Sequence, residues 1–213
     1  MKQITIFANG NTPSVDISFF HNETVIAADG GARHCLKFGI TPQVVIGDFD
    51  SLSDDEIAIL EADGVELIKH PIEKDETDLE LALEYAVKTG ATEIILYGLL
   101  GGRWDMTFAN ILLLASPSYA EINFRIVDGS TTAYILRGGE TLTLEGKLGT
   151  TVSVIPLNKP ARGITYQGLQ WTLKNATLPF GTPRGVSNIM TATTAQISLE
   201  KGTLIVFVID SVE

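Results

Sequence analysis

Apolar positions along this chain follow two different rhythms. Over the first 127 residues, short apolar runs alternate with segments of helical period. Ile4–Ala8, Val25–Ala28, Val44–Ile46, Val65–Lys69, Ile94–Tyr97 and Ile122–Val127 read as strands. Between them, Gly31–Phe38 has a helical pattern that Gly39 would end. Ser53 caps a helix over Asp54–Ala62, with Glu56 at capping-box spacing. Thr77, with Glu80 three residues on, opens the clearest helix, whose Leu79, Leu83, Ala86 and Val87 share one face and whose end Gly90 follows. Thr107–Leu114 is a further helix. Strands alternating with helices predict a mainly parallel sheet covered on both faces.

From residue 128 the rhythm changes. Thr131–Leu136, Thr141–Leu144, Thr151–Leu157, Ile164–Tyr166, Trp171–Leu173, Ala195–Leu199 and Leu204–Ile209 are short, rich in Thr, Val and Ile, and separated by turns such as Arg137-Gly138-Gly139 and Glu200-Lys201-Gly202. That pattern predicts an all-β sandwich or small barrel. The expected fold is therefore α/β: an N-terminal, mainly parallel sheet flanked by helices over residues 1–127, and a C-terminal β-sandwich over residues 128–213.

Charge sharpens the division. The chain carries a net charge of -11. Residues 1–127 hold 20 acids and 8 bases, and the remainder 6 acids and 7 bases. A nucleic-acid partner would call for a basic face, so none is expected. No apolar run is long enough for a transmembrane helix, and the strand-like start is too short for a signal peptide. One cysteine, Cys35, builds no disulfide framework and reads as an ordinary helix residue. A reducing cytoplasm is the expected setting.

The acids of the first half are not all surface decoration. Asp29 follows the second strand, Asp48 and Asp50 the third, Asp75 and Asp78 the fourth, and Asp105 the fifth, after Gly101-Gly102-Arg103. In open parallel sheets, ligands bind beyond the carboxyl ends of the strands. Two carboxylates ~5 Å apart repel by about 3 kcal/mol at an effective dielectric of ~20. Several in one crevice call for a hard cation, and magnesium shares its sphere with phosphates. Asp48-Phe49-Asp50 offers a carboxylate pair to one metal if its loop curls. Gly30-Gly31, Gly47 and Gly101-Gly102 flank the acids, where close approach of a phosphate to backbone is feasible. Lys74 and Arg103 are the cations of these loops. Neither a G-x-G-x-x-G nor a P-loop is present, so any nucleotide would be held in another way.

Five pieces, in order, carry a family resemblance: Asp29-Gly30-Gly31-Ala32, Gly47-Asp48-Phe49-Asp50-Ser51, Lys74-Asp75-Glu76-Thr77-Asp78, Gly101-Gly102-Arg103-Trp104-Asp105 with Asn110, and Ser187-Asn188. Together they resemble thiamine pyrophosphokinase along nearly the whole chain. The resemblance implies a homodimer that transfers the terminal diphosphate of ATP to the hydroxyl of thiamine, giving thiamine diphosphate and AMP. It implies Asp48, Asp50 and Asp78 as magnesium ligands. It places Asp29, Lys74, Arg103 and Asp105 toward ATP, with Gly30, Gly31, Ser51, Thr77, Gly102 and Asn110 of the same motifs around the nucleotide. It places thiamine near Gly168-Leu169-Gln170-Trp171 and Ser187-Asn188, with Trp171 as an aromatic wall for a cationic ring system. Arg33 and Met106 stand where the family often has Asn and His, which leaves the general base unassigned. Two other readings stay open. Asp48-Phe49-Asp50-Ser51 loosely fits the D-x-D-x-T/S motif of haloacid dehalogenase phosphatases, though it follows the third strand rather than the first. A non-catalytic thiamine or nucleotide sensor would retain the same fold.

Overall fold

The computed structural model describes residues 2–12, 15 and 23–210. They divide into two compact units, Met1–Leu113 with Glu121–Gly129, and Leu114–Ala120 with Ser130–Glu213.

The first unit contains β1 (Gln3–Phe7), β2 (Thr24–Ala28), α1 (Gly31–Phe38), β3 (Val44–Gly47), α2 (Asp54–Ala62), β4 (Glu66–Lys69), α3 (Asp78–Lys88), β5 (Glu93–Tyr97), most of α4 (Trp104–Leu114) and β6 (Asn123–Asp128). Its strands are all parallel, in the order β6-β5-β1-β2-β3-β4. Strand order reverses direction at β1. The crevice beyond the carboxyl ends of β1, β2 and β5 is thus a topological switch point, the place where such sheets bind ligands.

Parallel strands buried on both faces need apolar residues at nearly every position. Ile4, Ile6, Phe7, Ile26, Ala27, Val45, Ile94 and Leu96 are fully buried. Phe7, Val25, Ala27, Val45, Ile95 and Tyr97 form one core with Ala32 and Cys35 of α1 and Leu60 of α2. Phe7 and Tyr97 stack there at 5.1 Å between ring centroids. α3 packs over β1, β2 and β3 through Leu79, Ala82, Leu83 and Ala86. Val87, expected on that face, is instead 38% exposed, and Ala82 takes the buried position. A small residue suits a helix lying close to the sheet, and the exposed Val87 sits at the last turn.

The helix ends follow their chemistry. Ser53 and Glu56 form the reciprocal capping box, and the Thr77 hydroxyl accepts from the Glu80 N–H at 3.2 Å. Gly39 ends α1 in the left-handed region at φ 66, where a Cβ would be strained. α4 begins three residues earlier than the pattern implied, at Trp104.

The second unit contains β7 (Thr131–Arg137), β8 (Thr141–Glu145), β9 (Thr151–Pro156), β10 (Ala161–Gln167), β11 (Ala176–Leu178), β12 (Asn188–Ile189), β13 (Thr194–Ser198) and β14 (Thr203–Ile209). Antiparallel pairing joins β12-β9-β14-β7 and, separately, β11-β10-β13-β8. Inward residues of both sheets share one core, among them Leu136, Val154, Ile164, Leu178, Ile197 and Val206. That is sandwich packing. Arg137 of β7 donates to the carbonyls of Leu114 and Tyr119, both at 2.9 Å, and so ties down a 3-10 turn at Pro117–Tyr119.

One expected strand is absent. Trp171 is a bend and Thr172 and Leu173 are irregular, and the strand lies at Ala176–Leu178 after a bend in which Asn175 has φ 46. The short strand β12 had no apolar run to reveal it.

Candidate active site

The cleft at the switch point encloses about 340 Å³, lined from the loops after β1, β2, β3 and β5 and from the starts of α3 and α4. Its acids are placed by unusual backbone. Asp29 has φ 44 and Phe49 has φ 67, a region costly for residues that carry a Cβ. Strain of ~1–3 kcal/mol at such positions persists only where surrounding structure holds it, and it concentrates at functional sites. At Phe49 the holding element is the ring, buried in the core with Ala32, Cys35 and Leu60. The left-handed turn curls Asp48 and Asp50 toward each other, and the Asp50 N–H donates to Asp48 Oδ1 at 3.0 Å. Ser51 donates to Asp50 Oδ1 at 3.2 Å and accepts from Asn9 Nδ2 at 3.3 Å.

Asp29, Asp48 and Asp50 each bring a carboxylate oxygen within 4.8 Å of the other two. Asp29 is buried, and its Oδ1 has no hydrogen-bond partner among the described residues. A buried carboxylate oxygen left unpaired is costly, and three carboxylates at this spacing repel. A divalent cation with oxygen preference would relieve both. The expected ligand set was Asp48, Asp50 and Asp78. Asp29 joins Asp48 and Asp50 in this group, while Asp78 lines the same cleft and is paired with a lysine.

That lysine is Lys74. Its ammonium lies 2.9 Å from Asp78 Oδ1, 3.4 Å from Asp48 Oδ2 and 3.2 Å from the Pro71 carbonyl. The Asp78 contact is an ion pair whose angles fall short of a directed hydrogen bond. Burial disfavours charge on Lys74, but Asp78 and then Asp48 outweigh it and hold the ammonium above its ordinary range. Burial raises the Asp78 carboxyl, Lys74 opposes the rise, and Asp48 and Asp29 add to it. Asp48 is held low, chiefly by the Asp50 N–H.

The remaining expected residues divide. Ser51, Thr77, Gly102, Arg103 and Asn110 line the cleft. Asn110 is buried and donates to the Leu99 carbonyl at 3.5 Å. Arg103 is exposed and forked onto Asp105, with Nη2 to Oδ2 at 2.7 Å and Nε to Oδ1 at 3.0 Å. The guanidinium depresses the Asp105 carboxyl to about 2. Asp105 itself is not among the lining residues, and neither are Lys74, Gly30 and Gly31. The glycine pair serves close packing: a Cβ on Gly31 would lie 2.0 Å from the Phe7 carbonyl oxygen, and one on Gly30 2.5 Å from the Asn9 side chain. Asp75 is exposed and outside the cleft lining. Arg33 pairs with Glu56 at 2.9 Å, joining α1 to α2 away from the cleft, whereas Met106 lines it.

Sequence reasoning passed over the loop Asn9-Gly10-Asn11, which lines the cleft. It is pinned by Gly10 N–H to Gly98 O and Asn11 N–H to Leu100 O, both at 2.7 Å, and by His34 Nε2, which donates to Gly10 O at 2.7 Å. The available signal was its place directly after the first strand, the same position that marked the acid loops.

In the second unit, Trp171 is 55% exposed, so it is not a core residue. Ser187 has φ 61, and its N–H donates to Ser153 Oγ at 3.0 Å. Asn188 is buried, and its side chain bonds the backbone of Trp171.

Comparison with known proteins agrees with this layout. A family model described as "Thiamin pyrophosphokinase, catalytic domain" matches residues 18–126, and one described as "Thiamin pyrophosphokinase, vitamin B1 binding domain" matches residues 140–204. The thiamine pyrophosphokinase of Bacillus subtilis is 30% identical over 208 residues, covering 96% of this chain and 97% of that protein. A crystal structure of the Bacillus subtilis enzyme superposes with a TM-score of 0.88 at 28% identity, over 99% of this chain and 100% of that one. The Geobacillus thermodenitrificans structure gives 0.83 at 29% identity, over 98% of each chain. Two family models in tandem, a full-length relative and a shared fold lead to one conclusion: the chain belongs to the thiamine pyrophosphokinase family.

Proposed function

We propose that this chain is a magnesium-dependent thiamine pyrophosphokinase, acting as a homodimer in the cytoplasm. The observation that carries the reading is the convergence of Asp29, Asp48 and Asp50 within 4.8 Å at the switch point of the parallel sheet. The tandem family match supports the substrate pair, ATP and thiamine.

In the proposed reaction the hydroxyl oxygen of thiamine attacks the β-phosphorus of ATP. The bond from that phosphorus to the oxygen bridging it to the α-phosphorus breaks, AMP leaves with the bridging oxygen, and the hydroxyl proton is released. Asp29, Asp48 and Asp50 fit a magnesium ion, which when bound offsets charge on the phosphate oxygens and aligns them. Such transfer needs positioning and charge compensation more than covalent help. Arg103 is placed to grip a phosphate in a bidentate manner once its fork releases Asp105. Lys74 holds Asp48 and Asp78 in place and keeps a positive charge beside the acids. Asn9, Asn11 and Asn110 offer neutral polar groups to the nucleotide. Trp171 offers thiamine an aromatic face, with Ser187 and Asn188 in the adjoining segment.

The test is direct. Purified protein with thiamine, ATP and magnesium is expected to yield AMP and thiamine diphosphate in equal amounts, with neither formed in EDTA. Release of phosphate or ADP independent of thiamine would instead favour the phosphatase reading, which the family match already disfavours. Tight thiamine binding without turnover would favour the sensor.

A further inference from the structure

Trp171 stands at the end of an unusual ladder. Residues 168–170 run antiparallel to residues 189–191: the Thr191 N–H donates to Gly168 O and the Gln170 N–H to Ile189 O, both at 2.9 Å, with Leu169 opposite Met190. A regular ladder would next join residues 172 and 187 and would turn the Trp171 backbone away. Here the Trp171 backbone is held by a side chain instead, that of Asn188, a residue that pairs with Val152 in the β12–β9 ladder. Asn188 Oδ1 accepts from the Trp171 N–H at 3.0 Å and from the Ile189 N–H at 2.9 Å, and Nδ2 donates to the Trp171 carbonyl at 2.7 Å. These partners fix the amide orientation, because the flipped amide would face two N–H donors with a third. Both acceptor positions of Oδ1 are used, and the residue is only 5% exposed.

We propose that Asn188 is a positioning residue for thiamine: its side-chain amide stands in for a peptide group and locks the Trp171 backbone, so that the indole is presented in a fixed place while remaining open to solvent. Asparagine suits this role because its amide sits one carbon from Cα, carrying one donor and one double acceptor in a plane. Ser187 contributes by turning the chain at φ 61 with its N–H anchored on Ser153 Oγ, which aims the Asn188 side chain at the Trp171 segment. The proposal rests on the reading of Trp171 as the aromatic wall for thiamine. It replaces a direct substrate contact for Asn188 with an action through Trp171.

A double-mutant cycle separates these roles. Asn188→Ala is expected to raise the thiamine KM about tenfold, with kcat and the ATP KM within about twofold, since backbone ordering is lost while the phosphate site is untouched. In a Trp171→Ala background the same substitution is expected to add nothing. Additive rises in thiamine KM would mean that Asn188 meets thiamine on its own and would overturn the proposal, as would an unchanged KM for Asn188→Ala beside a raised KM for Trp171→Ala. No change for Trp171→Ala would remove the wall itself, and with it the reading beneath the proposal. Should Asn188→Ala fail to fold, the cycle is run with Asn188→Asp, which keeps both accepted bonds and sets a carboxylate oxygen against the Trp171 carbonyl in place of the donated one. In a Trp104→Phe background, where Trp171 is the sole tryptophan, its fluorescence anisotropy is expected to fall when Asn188 is replaced, and an unchanged anisotropy would overturn the clamp.

Discussion

The acid loops of the first unit and the Trp171 segment of the second reach the same end by different means. Asp29 and the Asp48-Phe49-Asp50 turn are aimed by backbone in the left-handed region, held there by burial of Asp29 and of the Phe49 ring. Trp171 is aimed by one remote side-chain amide. Backbone torsion spaces carboxylates tightly enough to hold an ion, at a cost in strain and repulsion. A side-chain clamp leaves the aromatic face open, with a left-handed residue, Ser187, beside the clamping amide rather than at the indole. The first device makes a site that is tense without its ligand, and the second a site whose failure is selective for one substrate.

The largest expected effect lies in the first device. Asp48→Asn keeps an oxygen that can accept the Asp50 N–H but removes the ligand charge. Turnover is expected to fall by at least ~10²-fold while the melting temperature stays within a few degrees, read by the AMP assay and by calorimetry. Near-normal turnover would take Asp48 out of the metal set. Next, Asp29→Asn relieves repulsion in the absence of metal. It is expected to raise stability without magnesium by about 1 kcal/mol and to cut to about half or less the further stabilisation that magnesium-ATP provides, ~2–3 kcal/mol at a hundredfold excess over Kd. Lower stability of the variant without metal would show that the carboxylates are not in conflict.

A fold-only control is smaller in meaning though not in energy. Leu83→Ala, in the middle of the buried face of α3, is expected to cost ~2–5 kcal/mol in denaturant unfolding with kcat little changed. A large fall in kcat at a temperature where the variant is folded would tie α3 packing to the acids.

How much of this was legible beforehand depended on range. The alternation of strands and helices, the Ser53 and Thr77 caps and the acids at strand ends rest on local pattern, and the structure reproduces them. That Asp29 comes within 4.8 Å of Asp48 and Asp50 was not legible, because it goes with positive φ at Asp29 and Phe49, residues whose chemistry does not announce it. Asn9-Gly10-Asn11 carries no charge, so a search led by carboxylates and cations passed it by. Trp171-Thr172-Leu173 alternates like a strand, yet only the Leu173 carbonyl meets a backbone partner, Tyr166, while Trp171 bonds the side chain of Asn188. Local periodicity cannot report a rung made by a side chain.

The smallest effects fall outside both devices. Burial pushes the Cys35 thiol up to about 12, so the folded protein is expected to resist alkylation near neutral pH, read by mass spectrometry after iodoacetamide. Rapid native labelling would contradict the packing of α1. Arg33→Ala breaks an exposed ion pair with Glu56 and is expected to change stability by less than ~1 kcal/mol and activity not at all.

The account stands most directly on which carboxylates hold the cation. Manganese, a spectroscopic substitute for magnesium, would be titrated into the protein with a non-hydrolysable ATP analogue and its binding followed by electron paramagnetic resonance. Saturable binding to the parent chain that is weakened at least about tenfold by Asp29→Asn is the predicted result, as expected for loss of a charged ligand. Unaltered manganese affinity in the Asp29 variant would contradict the grouping of Asp29 with Asp48 and Asp50.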